Sequence, residues 1–413
     1  MQTRTRILAL VVVAVALAAF MYFGTQDSAL GLPPPSEHVD EGLVAANTRF
    51  AFNLFAELTR EEPGENIFIS PTSISLALAM TYNGADGQTQ EAMADVLQIA
   101  DMDLEAVNQA FAKLRTILQN PDPAVQLDIA NSIWAREGLP FKEDFLQRNQ
   151  HFYEATIQEL DFDDPEASSI INNWVKEQTR DRIEEIVDDD IDPTTVMFLI
   201  NAVYFNGKWG HEFDPEHTRD ASFFLPDGTE VTRPFMHQED TYRYYNGEGF
   251  QAVALPYGEG DRMSMYIFLP GEDSSLESFL GGLSAETWSE HMAAFREAEV
   301  EISLPRFTFE YESGLKEALK ALGMDVAFDA READFGAMYP ITPGENLYIE
   351  DVKHKTFIDV NEQGTEAAAV TSVEIRMESA VETLQMHMNR PFFFAICDDL
   401  TGTILFMGSL ATP

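Results

Sequence analysis

Apolar side chains recur at helical spacing from Leu43 to Leu58, with Leu43, Ala46, Phe50, Leu54 and Leu58 on one stripe flanked by Ala51 and Phe55. Pro63 and Gly64 end that helix. The stretch Asn66 to Met80 reads as a short strand running into a helix, with Ser70 placed to cap it and Pro71 suited to its first turn. A glycine-marked turn follows at 82–89, then a helix over 104–118, a strand over Leu127–Trp134 and a helix over Ser168–Ile186. From Thr195 to Trp209 the chain is almost continuously apolar, which predicts a strand buried on both faces in the middle of a large sheet. Asn201 sits in that run and must be hydrogen-bonded or costly. Hairpin-forming strands come next, over 222–225, 231–236, 242–245, 250–255, 263–268 and 300–304, then a helix over Leu315–Leu322 ended by Gly323.

One stretch has a different pattern. Over Thr365 to Glu378, one alternating set is Thr365, Ala367, Ala369, Thr371, Val373, Ile375 and Met377, which carries no charge. The other set (Glu366, Ala368, Val370, Ser372, Glu374, Arg376 and Glu378) carries all of it. A period of two with one apolar face is a half-buried strand. Yet its first residues are small, with weak strand propensity and little to bury until a sheet receives them. The segment is equipped to become a strand, not to begin as one.

With 413 residues, 45% of them hydrophobic, the chain can bury a large core. The net charge of −44, from 70 acidic and 26 basic residues, makes nucleic acids and anionic membranes poor partners. Because the acids are spread along the chain, they point to a salt-adapted organism. The single cysteine, Cys397, excludes an internal disulfide and reads as a buried inert thiol. Arg4 and Arg6 precede an apolar run from Ile7 to Phe23, so residues 1–24 are read as a signal peptide or a retained membrane anchor. Residues 25–40 are a linker, and the bulk of the chain is expected to be secreted or held on the outer face of the cytoplasmic membrane.

The sequence holds no hydrolase, phosphate-loop or Cys-x-x-Cys signature. His211 to His217 is expected to be a solvated loop, not a metal site, and Asp188 to Asp192 a charged turn. No cofactor and no metal are expected. His354 reads as a satisfied buried histidine.

Gly364, Thr365, Glu366, Ala367, Ala368 and Ala369, following Glu362, resemble the hinge of the reactive loop in serpins, the serine protease inhibitors that trap their targets. About six further segments are similar to that family in the right order, including 66–80, 172–179, 195–209, 333–338, 389–394 and 402–408, so the resemblance covers residues 41–413. It implies an α+β fold with three β-sheets, eight or nine helices and an exposed reactive-centre loop over about 362–382. By the same resemblance Ser70, Ser73, Asn201 and His354 form a polar cluster where the central sheet opens, and Trp209 marks the point where the loop enters. The helix at 104–118 has only Lys113 and Arg115 as basic residues, so no heparin-like polyanion partner is expected.

The implied function is inhibition of serine proteases, with cysteine proteases as a second class, by a monomer forming a covalent one-to-one complex. The rival readings are a non-inhibitory serpin-like binding protein or chaperone, and an enzyme on an unrelated site. Counting Glu362 as the first residue, family spacing places the reactive bond at the seventeenth, Glu378-Ser379, with Met377 and Arg376 as alternatives.

Overall fold

A computed structural model describes residues 39–119, 124–258, 260, 262–341, 346–365 and 383–413. Residues 1–38, which hold the expected signal or anchor at 1–24 and most of the expected linker at 25–40, and residues 366–382 lie outside the described residues. The first helix, α1 (Glu41–Glu61), is capped by the Asp40 carboxylate, which accepts from the Leu43 N–H at 2.9 Å. Strand β1 (Ile67–Ile69) runs into α2 (Pro71–Tyr82) with Pro71 in the first turn. Ser70 does not cap this helix; its hydroxyl donates instead to Leu405 O at 2.7 Å. Next come α3 (Gly87–Val96), α4 (Leu104–Leu118), β2 (Val125–Arg136), α5 (Glu143–Tyr153), β3 (Thr156–Leu160), α6 (Ala167–Gln178) and β4 (Met197–Lys208). The second half is β5 (Arg219–Phe224), β6 (Glu230–Gly247), β7 (Phe250–Tyr257), β8 (Met263–Pro270), α7 (Leu276–Leu280), α8 (Ala285–Ala294), β9 (Arg296–Pro305) and β10 (Phe307–Gly314). It ends with α9 (Lys316–Leu319), β11 (Lys353–Asn361), β12 (Gly364–Thr365), β13 (Leu384–His387), β14 (Phe392–Asp398) and β15 (Thr403–Leu410).

Six strands form one sheet in the order β10-β11-β12-β4-β2-β3. The others follow the path β1-β15-β14-β8-β7-β6-β9-β13, with β5 on β6. The 18-residue β6 belongs to two sheets: its first part pairs β5 and its last part pairs β7. The expected α+β serpin architecture is therefore present, with the small β5-β6-β9-β13 sheet continuous with the larger one through β6. The sequence pattern splits β6 at 237–241, but those residues stay paired to β9, so the expected break is absent.

Helix α6 is shorter than the predicted span 168–186. It ends because the Thr179 hydroxyl bonds back to Val175 O (2.9 Å) and accepts from Ile183 N–H (3.1 Å). Arg180 and Asp181 then take left-handed backbone angles that a helix cannot continue. The core centres on Phe68, stacked on Phe406 at 5.2 Å and on Phe394 at 5.7 Å. Cys397 is buried within it, and burial pushes its thiol pKa well up, so it is inert as read from the sequence.

Candidate functional site

Glu362 to Thr365 reverse direction at the end of β11, and β12 lies antiparallel between β11 and β4. Gly364 is required here. Its φ is +150°, and a Cβ would stand 2.0 Å from Gly207 O. Thr365 is 3% exposed, and its hydroxyl is hydrogen-bonded to the Tyr257 hydroxyl at 2.7 Å. Trp209 holds the turn from below: its indole N–H donates to Asn361 O at 2.9 Å and its backbone N–H to Gln363 O at 3.0 Å. The Trp209 ring stacks on Tyr257 at 4.6 Å. Trp209 thus stands beside the hinge.

The Glu362 carboxylate is 5% exposed and accepts from Arg306 Nε at 2.7 Å and from the Thr218 hydroxyl. Burial acts to raise its pKa, but the Arg306 and Thr218 bonds outweigh that and hold it below the usual value of 4.5. A lowered carboxylate pKa means stability present above pH 4.5 and lost as pH falls through the native value. Glu362→Gln should therefore cost about 1 kcal/mol at pH 7, after allowing for the exposed side of Arg306. In denaturant titrations the gap between variant and wild type should shrink as the pH falls below 4.5 and through the lowered native value.

Below Thr365 no pairing joins β11 directly to β4 among the described residues; β12 is their only link in the strand order. A cleft opens there, walled by Val203 and Phe205 on one side and by Thr356 and Phe357 on the other, with Phe68 and Phe406 lining it too. The segment after α6 crosses it, with Arg180 over the Tyr204 ring and Arg182 over the Phe357 ring.

This gap corrects the expected polar cluster. His354 Nε2 accepts from the Ser70 N–H at 3.1 Å, so those two residues do meet. Asn201, on β4, donates to Asn131 Oδ1 at 2.6 Å instead, while its own Oδ1 is buried with no partner among the described residues. Ser73 is buried on α2. The family-like contact of Asn201 with Ser73 and His354 is absent because β4 and β11 are apart.

Burial pushes the His354 pKa down to about 3, so it is neutral in the native state. For a base with a lowered pKa, stability is complete above about pH 6.5 and falls as pH drops toward 3. Wild type should lose up to about 1.4 kcal/mol per pH unit more than His354→Gln over that window. The comparison of the two slopes by chemical unfolding removes the acid response shared by all other groups.

His211 pairs with Asp240, and His217 lies in the turn Pro215–His217. Among the described residues no group of three or more His, Cys, Asp or Glu side chains could hold a metal ion. Glu366, Ala367, Ala368, Ala369, Arg376, Met377, Glu378 and Ser379 fall outside the described residues. Sequence reasoning missed Thr218, Tyr257 and Arg306. Each comes from a strand or turn far from the hinge along the chain, and no local spacing marks them.

A sheet in which, among the described residues, β11 and β4 are joined only through a two-residue hinge strand defines the class of protein. Residues 45–413 match the family model described as Serpin (serine protease inhibitor). The chain is 39% identical over 384 residues to an uncharacterized serpin-like protein of Thermococcus kodakarensis, covering 91% of this chain and 87% of that one. It is 36% identical to Serpin B6 of Pongo abelii, over 90% of this chain and 99% of that one. A crystal structure of the thermophilic serpin Tengpin in the native state superposes with a TM-score of 0.84, at 35% identity, over 93% of this chain and 98% of that one. The protein belongs to the serpin family, most of whose members inhibit proteases and are not catalysts.

Proposed function

We propose that this protein inhibits serine proteases, and cysteine proteases as a second class, as a suicide substrate. The single observation that carries the reading is β12: the first two hinge residues already occupy the top of the slot between β11 and β4. Continued in steps of two, the same register would set Ala367 between Ile358 and Phe205, and Ala369 between Thr356 and Val203. Thr371 would then come between His354 and Asn201, where the unpartnered Asn201 Oδ1 could accept from the new strand. Each of these inserting side chains is small and uncharged, so burial leaves no unpaired charge.

The chemistry belongs to the protease. Its serine Oγ attacks the Glu378 carbonyl, the bond to Ser379 breaks, and the protease histidine passes the serine's proton to the departing amine. The acyl ester remains. The freed segment enters the slot as a central strand, a mode of strand addition for which serpins are a standard example. The tethered protease is drawn along the sheet, and distortion of its oxyanion hole stalls deacylation. An exported monomer acting one-to-one, without a cofactor or polyanion, completes the reading.

One gel tests it. An SDS-resistant one-to-one complex with a Glu-preferring serine protease supports inhibition. A nicked chain with no complex indicates a non-inhibitory relative and rejects it. Mass spectrometry of the fragment released from the complex should show Ser379 as its new N-terminus. Another N-terminus moves the bond to Met377 or Arg376.

A further inference from the structure

Strand β13 follows directly on residues 366–382, and it is weakly held. It has four residues and, among the described residues, sits at a sheet edge and pairs only with β9. Of its side chains only Met386 is buried; Leu384, Gln385 and His387 are exposed. His387 is its one ionisable group.

In the ladder, His387 stands opposite Ser303 of β9, and Ser303 stands opposite His237 of β6. Residues opposite one another in adjacent strands share a face. The two imidazoles therefore flank Ser303 in one row across three strands, about 10 Å apart. Between them Ser303 is only 4% exposed and His237 is partly buried, while His387 lies open at the edge.

The next row on this face is Gln385, Glu301 and Glu239. Gln385 donates to Glu301 at 3.0 Å, and Thr383 donates to Glu239 at 2.8 Å. Beyond it, Glu299 of β9 accepts from Thr241 of β6 at 2.7 Å. Arg219 of β5, opposite Phe235 in the ladder, and His217 of the preceding turn are near enough to oppose protonation of His237. Asp240 points to the opposite face and is engaged by His211.

We propose that the His387–Ser303–His237 row is an acid-sensitive clasp that lets β13 separate from β9 on acidification. Docked, His237 resists protonation, first because it is partly buried and then because His387, Arg219 and His217 oppose a further positive charge; Glu301 offsets only part of this. Separation of β13 removes His387 and opens the row to water. The separated state therefore binds more protons, and it gains as pH falls below the ordinary histidine value of about 6.5. This deepens the proposed trap, since β13 anchors the C-terminal side of the bait segment. A looser anchor shifts the balance from bait held for a protease toward uptake without cleavage.

Hydrogen exchange of the 384–388 amides at pH 7.5 and 5.5, corrected for intrinsic rates, tests the clasp on the full chain. Wild type should open about tenfold more at pH 5.5 than at pH 7.5. His237→Gln should reduce that response below about threefold, and His387→Gln should do the same. His387→Gln changes an exposed side chain, so it keeps the test decisive should the His237 variant fail to fold. Equal corrected exchange at the two pH values overturns the proposal, as does a wild-type response in the variants. An acid response shared equally by Phe392–Asp398 overturns it too, because it would report general softening. No protease enters this measurement, so its outcome is separate from that of the inhibition gel.

Discussion

Thr365→Arg is expected to turn the protein from an inhibitor into a substrate. Thr365 is 3% exposed, bonded to Tyr257 and lodged between Val360 and Gly207 of the neighbouring strands. A guanidinium there meets the stacked Tyr257 and Trp209 rings, and among the described residues no carboxylate lines the cleft. An uncompensated buried charge costs several kcal/mol, and every 1.4 kcal/mol added to the insertion barrier slows it about tenfold. Deacylation is untouched by the substitution, so a delay of about a hundredfold lets hydrolysis win. The expected gel shows a cleaved chain, free active protease and no SDS-resistant complex. Undiminished complex formation would end the strand-insertion mechanism. Ala367→Pro tests the same step one register position further on, by removing a ladder hydrogen bond.

Cleavage at the reactive bond should raise the melting temperature by about 10 °C or more. Among the described residues, the facing edges of β11 and β4 have no strand partner below Thr365. An inserted segment from Thr365 to Met377 would supply one on both sides. At roughly 1 kcal/mol net per hydrogen bond, the gain is on the order of 10 kcal/mol before side-chain burial is added. The protein should be nicked with catalytic protease under conditions where the substrate pathway dominates, then melted beside the intact chain. Coincident transitions would mean that the segment stays out of the sheet.

Much of this was legible along the chain. The stripe from Leu43 to Leu58, the span 104–118 and the buried run ending at Trp209 each carry their own period, and each appears within a few residues of its expected place. Local periodicity survives folding because it expresses which face of an element must leave water. Where two signals competed locally, the pattern misled. The apolar residues at 183–187 extended the predicted helix, but side-chain bonds from Thr179 and Asn172 turned the chain first. The polar stretch at 237–241 suggested a turn, but pairing with β9 kept β6 extended.

By itself the sequence determined the uncharged alternating face from Thr365 to Met377 and the acidic character of the chain. These are properties of single residues and their spacing, so they need no partner to exist. Only the tertiary structure decided what the hinge touches. Tyr257, Arg306 and Thr218 reach it from elements separated along the chain, and Asn201 and His354 are kept apart by a gap between two strands. Contacts of that kind depend on the relative placement of whole elements, and sequence spacing carries no record of it.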